Sequence, residues 1–170
     1  MNKLITINEF FDVNSLPNTE QNLGMKRVSM PQIDTDKFLK AIDRNQDVTY
    51  TYGDEDTNNL MPTQDQFNSD KVKSIVLGLR SGNTPKPIIV SNDNYVVDGH
   101  HRWAAITSYN IKHPDAPIPL KAMIVDQDID TAIKTANDFA KEIGISSSLK
   151  KITHLFNSGT TKKVDAINVN

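Results

Sequence analysis

Residues 87–106 constrain the fold more than any other stretch. They read Pro-Ile-Ile-Val-Ser-Asn-Asp-Asn-Tyr-Val-Val-Asp-Gly-His-His-Arg-Trp-Ala-Ala-Ile. Ile88, Ile89 and Val90 are a β-branched run. Asn92, Asp93 and Asn94 are turn residues, and Tyr95, Val96 and Val97 resume strand character. This pattern predicts two short strands joined by a turn. It then changes abruptly. Asp98-Gly99-His100-His101-Arg102 is polar, and Trp103-Ala104-Ala105-Ile106 suits a helix. The first N–H groups of a helix lack partners within it and sit at the positive end of its dipole. Such a start is a ready anion site, and His100, His101 and Arg102 add donors at the same point.

Two readings of this turn stand side by side. In the functional one, Gly99 and the N–H groups of residues 100 and 101 cradle a phosphate, while Arg102 and a histidine neutralise its charge. In the structural one, Asp98 is a helix N-cap, Gly99 serves only the turn, and one histidine is an ordinary satisfied side chain. Two adjacent histidines followed by arginine tip the balance to function, because such a run of donors calls for an anion.

Asp98-Gly99-His100-His101-Arg102-Trp103-Ala104-Ala105 resembles the signature of the ParB/sulfiredoxin superfamily, in which a Gly-x-x-Arg element opens a helix and binds nucleotide phosphates. The Asp-Gly-His-His-Arg form is most similar to the branch holding free serine kinases and small ParB-like phage proteins. Leu60-Met61-Pro62-Thr63-Gln64, followed by Lys71 to Leu79, resembles the family's other box, a Leu-x-Pro-x-Gln loop leading into a helix. The likeness spans roughly residues 48–125. It implies an α/β (α+β) fold, a small mixed sheet with packed helices. It also implies a bound nucleotide, ATP or another nucleoside triphosphate with Mg²⁺, and Gln64 on a loop facing the phosphates. A phage setting, hence host cytoplasm, follows from the resemblance alone.

Composition narrows the options. The chain has 170 residues, enough for one domain with extensions, but only 37% are hydrophobic, so part of the length is expected in loops or tails. A net charge of −2 argues against a broad, sequence-independent nucleic-acid binder. There is no cysteine, which excludes disulfides, thiol catalysis and Cys-based zinc sites. The sulfiredoxin reaction needs a Cys in the signature, where this chain has His, and is excluded with them. No apolar stretch approaches a membrane span, and Met1-Asn2-Lys3-Leu4-Ile5 does not open a signal peptide. A cytoplasmic location without a membrane partner is expected.

The order of elements follows from pattern. Residues 1–33 read as an N-terminal arm, 34–145 as the ParB/sulfiredoxin-like domain, and 146–170 as a short helix with a basic tail. A helix is predicted over Asp34–Arg44, a strand over Val48–Tyr52, and an acidic turn over Gly53–Asn59. Asn68 caps a predicted helix carrying Val72, Ile75, Val76 and Leu79. The helix after Gly99 is expected to end near Tyr109, and Ile111–Pro119 to be loop. Leu120–Val125 is predicted as strand. Asp128 caps a last helix carrying Ile129, Ala132, Ile133, Ala136, Phe139, Ala140 and Ile143, with Gly144 ending it.

Phosphoryl transfer needs charge neutralisation, positioning and a group beside the acceptor hydroxyl. Gln64, Gly99, His100, His101 and Arg102 are the candidate nucleotide contacts. Asp98 is the candidate Mg²⁺ ligand or base, and Asp65, with His101, is a further catalytic candidate. Loss of transfer is expected on Asp98→Asn and His101→Ala. Arg102→Ala is expected to weaken nucleotide binding and leave stability nearly unchanged. Zinc is a poor fit, since adjacent histidines on a helix diverge by about 100°. The leading expectation is an ATP-dependent kinase acting on a hydroxyl of a small molecule, such as serine, or of a modified DNA base. The alternative is a DNA- or nucleotide-binding module without turnover. Nuclease activity ranks third, because no metal-nuclease carboxylate set is present.

Overall fold

Ile88, Ile89 and Val90 are all buried, which a strand allows only where both faces of its sheet are covered. A computed structural model describes residues 16–26, 29–30, 35–44, 48–64 and 66–142, and shows how that cover is built. The elements in chain order are α1 (Thr35–Arg44), β1 (Tyr50–Glu55), β2 (Met61–Pro62), α2 (Ser69–Arg80), β3 (Ile88–Ser91), β4 (Tyr95–Asp98), α3 (His100–Lys112), β5 (Leu120–Val125) and α4 (Ile129–Glu142). The five strands form one mixed sheet in the order β1-β5-β3-β4-β2. The α/β class read from the sequence is thus the observed one.

Side chains alternate across the sheet and sort its core into two halves. Ile89, Val97, Met123 and Val125 join Phe38 and Ile42 of α1 and the apolar stripe of α4. Ile88, Val90, Val96, Leu120 and Ala122 join Val72, Val76 and Leu79 of α2 and Trp103 to Ile106 of α3. Two helices therefore lie on each face. Ala104 and Ala105 are fully buried, and their short side chains let α3 lie close to the strands.

β3 pairs parallel with β5, Ile88 opposite Ala122, and antiparallel with β4. In that second pairing Ile89 faces Asp98 but Val90 faces Val96. Val97 is the extra residue of a β-bulge, a feature that re-aims the chain beside it. The bulge sits immediately before Asp98 and Gly99. β2 pairs parallel with β4, so both strands deliver their C-terminal ends to the same rim of the sheet.

Several boundaries differ from the sequence reading. β1 runs through Gly53, Asp54 and Glu55 instead of turning, because these residues pair with Ala122, Lys121 and Leu120 of β5. An Asp54–Lys121 ion pair lies on that rung. The turn comes later, as a short 3₁₀ segment over Thr57–Asn59 that Asp56 caps. α3 continues to Lys112, one turn further than expected. The described part of the arm is docked: Leu16 and Met30 are buried, and the Met25 N–H donates to the Thr63 carbonyl at 3.0 Å. Gly144, the residue-146–170 segment with its four lysines, and the first fifteen residues lie outside the described residues.

Candidate functional site at the start of α3

Gly99 sets the geometry. It is the N-cap of α3 with φ +98°, a left-handed conformation. A Cβ there would stand 2.5 Å from Ile88 Cγ2, 2.9 Å from Ile88 Cβ and 3.0 Å from Arg102 Nη2. The position demands glycine on both conformational and steric grounds. Asp98 is therefore not the N-cap, contrary to the structural reading. Its carboxylate instead accepts from Arg102 Nη2 at 2.8 Å.

His100 is buried and joins the Pro62–Gln64 loop to α3. Its Nε2 accepts from the Thr63 N–H at 3.2 Å. The same nitrogen, unprotonated where it accepts from that N–H, lies 2.7 Å from Thr63 Oγ1. The Val96 carbonyl lies 3.0 Å from the same Thr63 hydroxyl, a second acceptor for its single proton, and places the loop beside β4. Gln64 is 4% exposed on this loop, next to the contact. His101 Nε2 accepts from the Asn68 N–H at 3.0 Å. Asn68 is itself the N-cap of α2, its side chain accepting from the Lys71 N–H. The starts of α2 and α3 are thus tied to each other. The Thr35 hydroxyl, at the head of α1, also acts on Asp98 and favours its charged form. The positive ends of α2 and α3 meet at the rim where β2 and β4 finish.

Arg102 is more occupied than expected. Nη1 donates to the carbonyls of Pro87 at 2.9 Å and Lys86 at 3.3 Å, while Nη2 holds Asp98. The side chains of Arg102 and Asp98 are only 19% and 30% exposed. The expectation that Arg102→Ala spares stability does not fit this geometry. The variant would strand a half-buried carboxylate and free two carbonyls, a loss between the values for exposed and buried pairs, roughly 1–3 kcal/mol.

Burial pushes the Asp98 carboxyl above its ordinary value of 3.8. Arg102, the Gly99 N–H and the Thr35 hydroxyl pull it back down without overcoming the burial. The folded chain therefore holds this proton more tightly than the unfolded chain. Asp98's contribution to stability is greatest below the unfolded value, and falls as pH rises through its higher folded value. We expect the unfolding free energy of wild type, minus that of Asp98→Asn, to decline across that window and then level off. Denaturant titrations at stepped pH check this, and a difference that grows with pH would reverse the sign.

Of the residues chosen from sequence, Gln64, Asp98, Gly99, His100, His101 and Arg102 gather at this rim, while Asp65 lies outside the described residues. Among the described residues no three His, Asp or Glu side chains are grouped to hold a metal. Asp98, the candidate Mg²⁺ ligand, is held by Arg102 in this arrangement. Sequence reasoning missed Thr63, Asn68 and Thr35 as parts of the site. Thr63 lay inside a recognised box and Asn68 was seen only as a cap, whereas nothing in the sequence ties Thr35 to Asp98.

A separate groove of about 480 Å³ lies towards the other end of α3, lined in part by Glu55, Asp56, Asn110, Ile111 and Pro117. At 1.5 Å per residue, Ile111 is roughly 16 Å along the helix from His100. No family model, curated protein or solved structure matches the chain. No helix among the described residues is long and apolar enough to cross a membrane.

Proposed function

We propose that the protein binds a nucleoside triphosphate, ATP in the first instance, with its phosphates at the start of α3, and transfers the terminal phosphoryl group to a hydroxyl. One observation carries the reading: the heads of α2 and α3 meet around the Gly99 turn at the C-terminal ends of two parallel strands. Crevices outside strand C-termini are favoured ligand sites in α/β sheets, and helix starts favour anions there. The resemblance to ParB/sulfiredoxin-like proteins, strongest in the free serine kinase branch, points the same way.

In this reading the acceptor oxygen attacks the γ-phosphorus and forms the new O–P bond. The bond from that phosphorus to the β-phosphate bridge breaks, and the nucleoside diphosphate leaves. The hydroxyl proton passes to Asp98, whose raised proton affinity suits a base. Mg²⁺ would arrive on the nucleotide's own phosphates. A second reading, a nucleotide- or DNA-binding module without turnover, is favoured by one observation: Asp98 is already held by Arg102.

The test is incubation with γ-labelled ATP, Mg²⁺ and either free serine or DNA bearing hydroxymethylated bases. We expect labelled acceptor, and no label with Asp98→Asn. ATP or CTP binding without transfer to any hydroxyl would select the binding module. No nucleotide binding at all would leave the turn a purely structural feature.

A further inference from the structure

We infer that His101 is a positioning residue, a neutral imidazole that fastens the head of α2 to the head of α3 and releases it when protonated. The inference makes no use of nucleotide binding and is tested without nucleotide. Its basis is the direction of one hydrogen bond. The Asn68 N–H donates to Nε2 at 3.0 Å, and an imidazole nitrogen accepts only when it carries no proton. The ring proton is therefore on Nδ1. The ring is also held from the side. Phe67 meets it edge-on at 6.4 Å, and Phe67 in turn packs on Trp103 at 6.1 Å.

Asn68 is a consequential residue to fasten. Its side chain caps α2 through the Lys71 N–H, and its carbonyl accepts the Val72 N–H at 3.1 Å. One imidazole thus fixes the residue on which the first turn of α2 depends.

Protonation inverts the contact. Nε2 becomes a donor facing a donor, and the bond is lost. The new charge also sits at two helix N-termini, where a cation is disfavoured. The charged residues of the elements meeting here are Asp70 and Lys71 on α2, and Asp98 and Arg102 at the start of α3; the last two are paired with each other. His100, the other titratable group on this turn, is engaged with Thr63. Asp65 lies outside the described residues. Acid should therefore loosen residues 66–68 at the head of α2, and neutral pH should hold them.

The experiment is NMR of the ¹⁵N-labelled full chain between about pH 8 and about pH 5, the range in which imidazoles titrate. At the upper end His101 should show an unprotonated Nε2. The Asn68 amide should shift with the same midpoint as the His101 ring, and its hydrogen exchange should quicken by about fivefold to tenfold beyond the intrinsic pH effect, the factor for one lost hydrogen bond. The Gly82 amide, at the opposite end of α2, should not follow. His101→Ala should abolish the pH response of Asn68. His101→Gln, which offers a non-titrating acceptor, should keep the Asn68 amide protected at both extremes. A protonated Nε2 at the upper end, or an Asn68 amide that ignores the His101 titration in wild type, would overturn the inference. So would His101→Gln that retains the wild-type pH response.

Discussion

Gly99→Ala should cripple the protein in both stability and ligand binding. The new methyl group would enter the space of Ile88, whose Cγ2 lies 2.5 Å from the ideal Cβ position. Ile88 cannot withdraw, because it is fully buried in the central strand and packed from above by α3. The backbone cannot relax easily either, since φ +98° lies where side chains are strained. Left-handed strain and overpacking together predict a loss of roughly 2–5 kcal/mol. That is a large share of the stability of an ordinary domain, about 5–15 kcal/mol. Urea unfolding monitored by circular dichroism measures it. A midpoint shift worth less than about 1 kcal/mol would mean that the turn adapts, and that the clash with Ile88 is not real.

Trp103→Ala should be comparably damaging, by a different route. Trp103 is fully buried between α3 and the sheet. Its Nε1–H donates to the Thr57 carbonyl at 3.0 Å, tying the helix to the 3₁₀ turn after β1. Its ring supports Phe67, and through it the side of His101. Removing a buried aromatic typically costs about 3–5 kcal/mol. Trp103→Phe separates the contributions: it keeps most of the volume but abandons the Thr57 carbonyl, for about 1–3 kcal/mol. Equal losses for the two variants would place the whole effect in the hydrogen bond. A loss under about 1 kcal/mol for Trp103→Ala would contradict the packing described here.

Much of the fold was legible because its elements carry strong local signals. The Ile88–Val90 run, the Asn92–Asn94 turn and the stripe from Ile129 to Ala140 all announce themselves by period. Asn68 and Asp128 cap their helices as read, the latter by accepting from the Thr131 N–H at 2.8 Å. β1 was misjudged at its end because Gly53-Asp54-Glu55 has turn composition. Cross-strand pairing with β5, including Asp54 to Lys121, outweighs that local preference. The order of strands had no local signal at all.

The candidate site was legible as a list of residues but not as a set of bonds. Gly99 could be singled out from its place between a strand and a helix. That Arg102 turns back to Asp98 and to the Lys86 and Pro87 carbonyls depends on where β3 begins in space. Likewise, the two histidines looked like donors awaiting an anion. His101 is an acceptor at Nε2, and His100 is occupied by Thr63, because the parallel pairing of β2 with β4 brings Thr63 and Asn68 onto α3. Only tertiary structure decides which end of a hydrogen bond a histidine takes.

The central claim is that nucleotide phosphates sit at the Gly99 turn. Titration of ATP into the ¹⁵N-labelled full chain, with Mg²⁺ present, tests it most directly. The account predicts saturable shifts concentrated at the amides of Thr63, Gln64, Gly99, His100 and His101, all weakened by raising salt. Saturable shifts centred instead on the groove around Asp56, Asn110 and Ile111, or no saturable shift with ATP or with CTP, would contradict it.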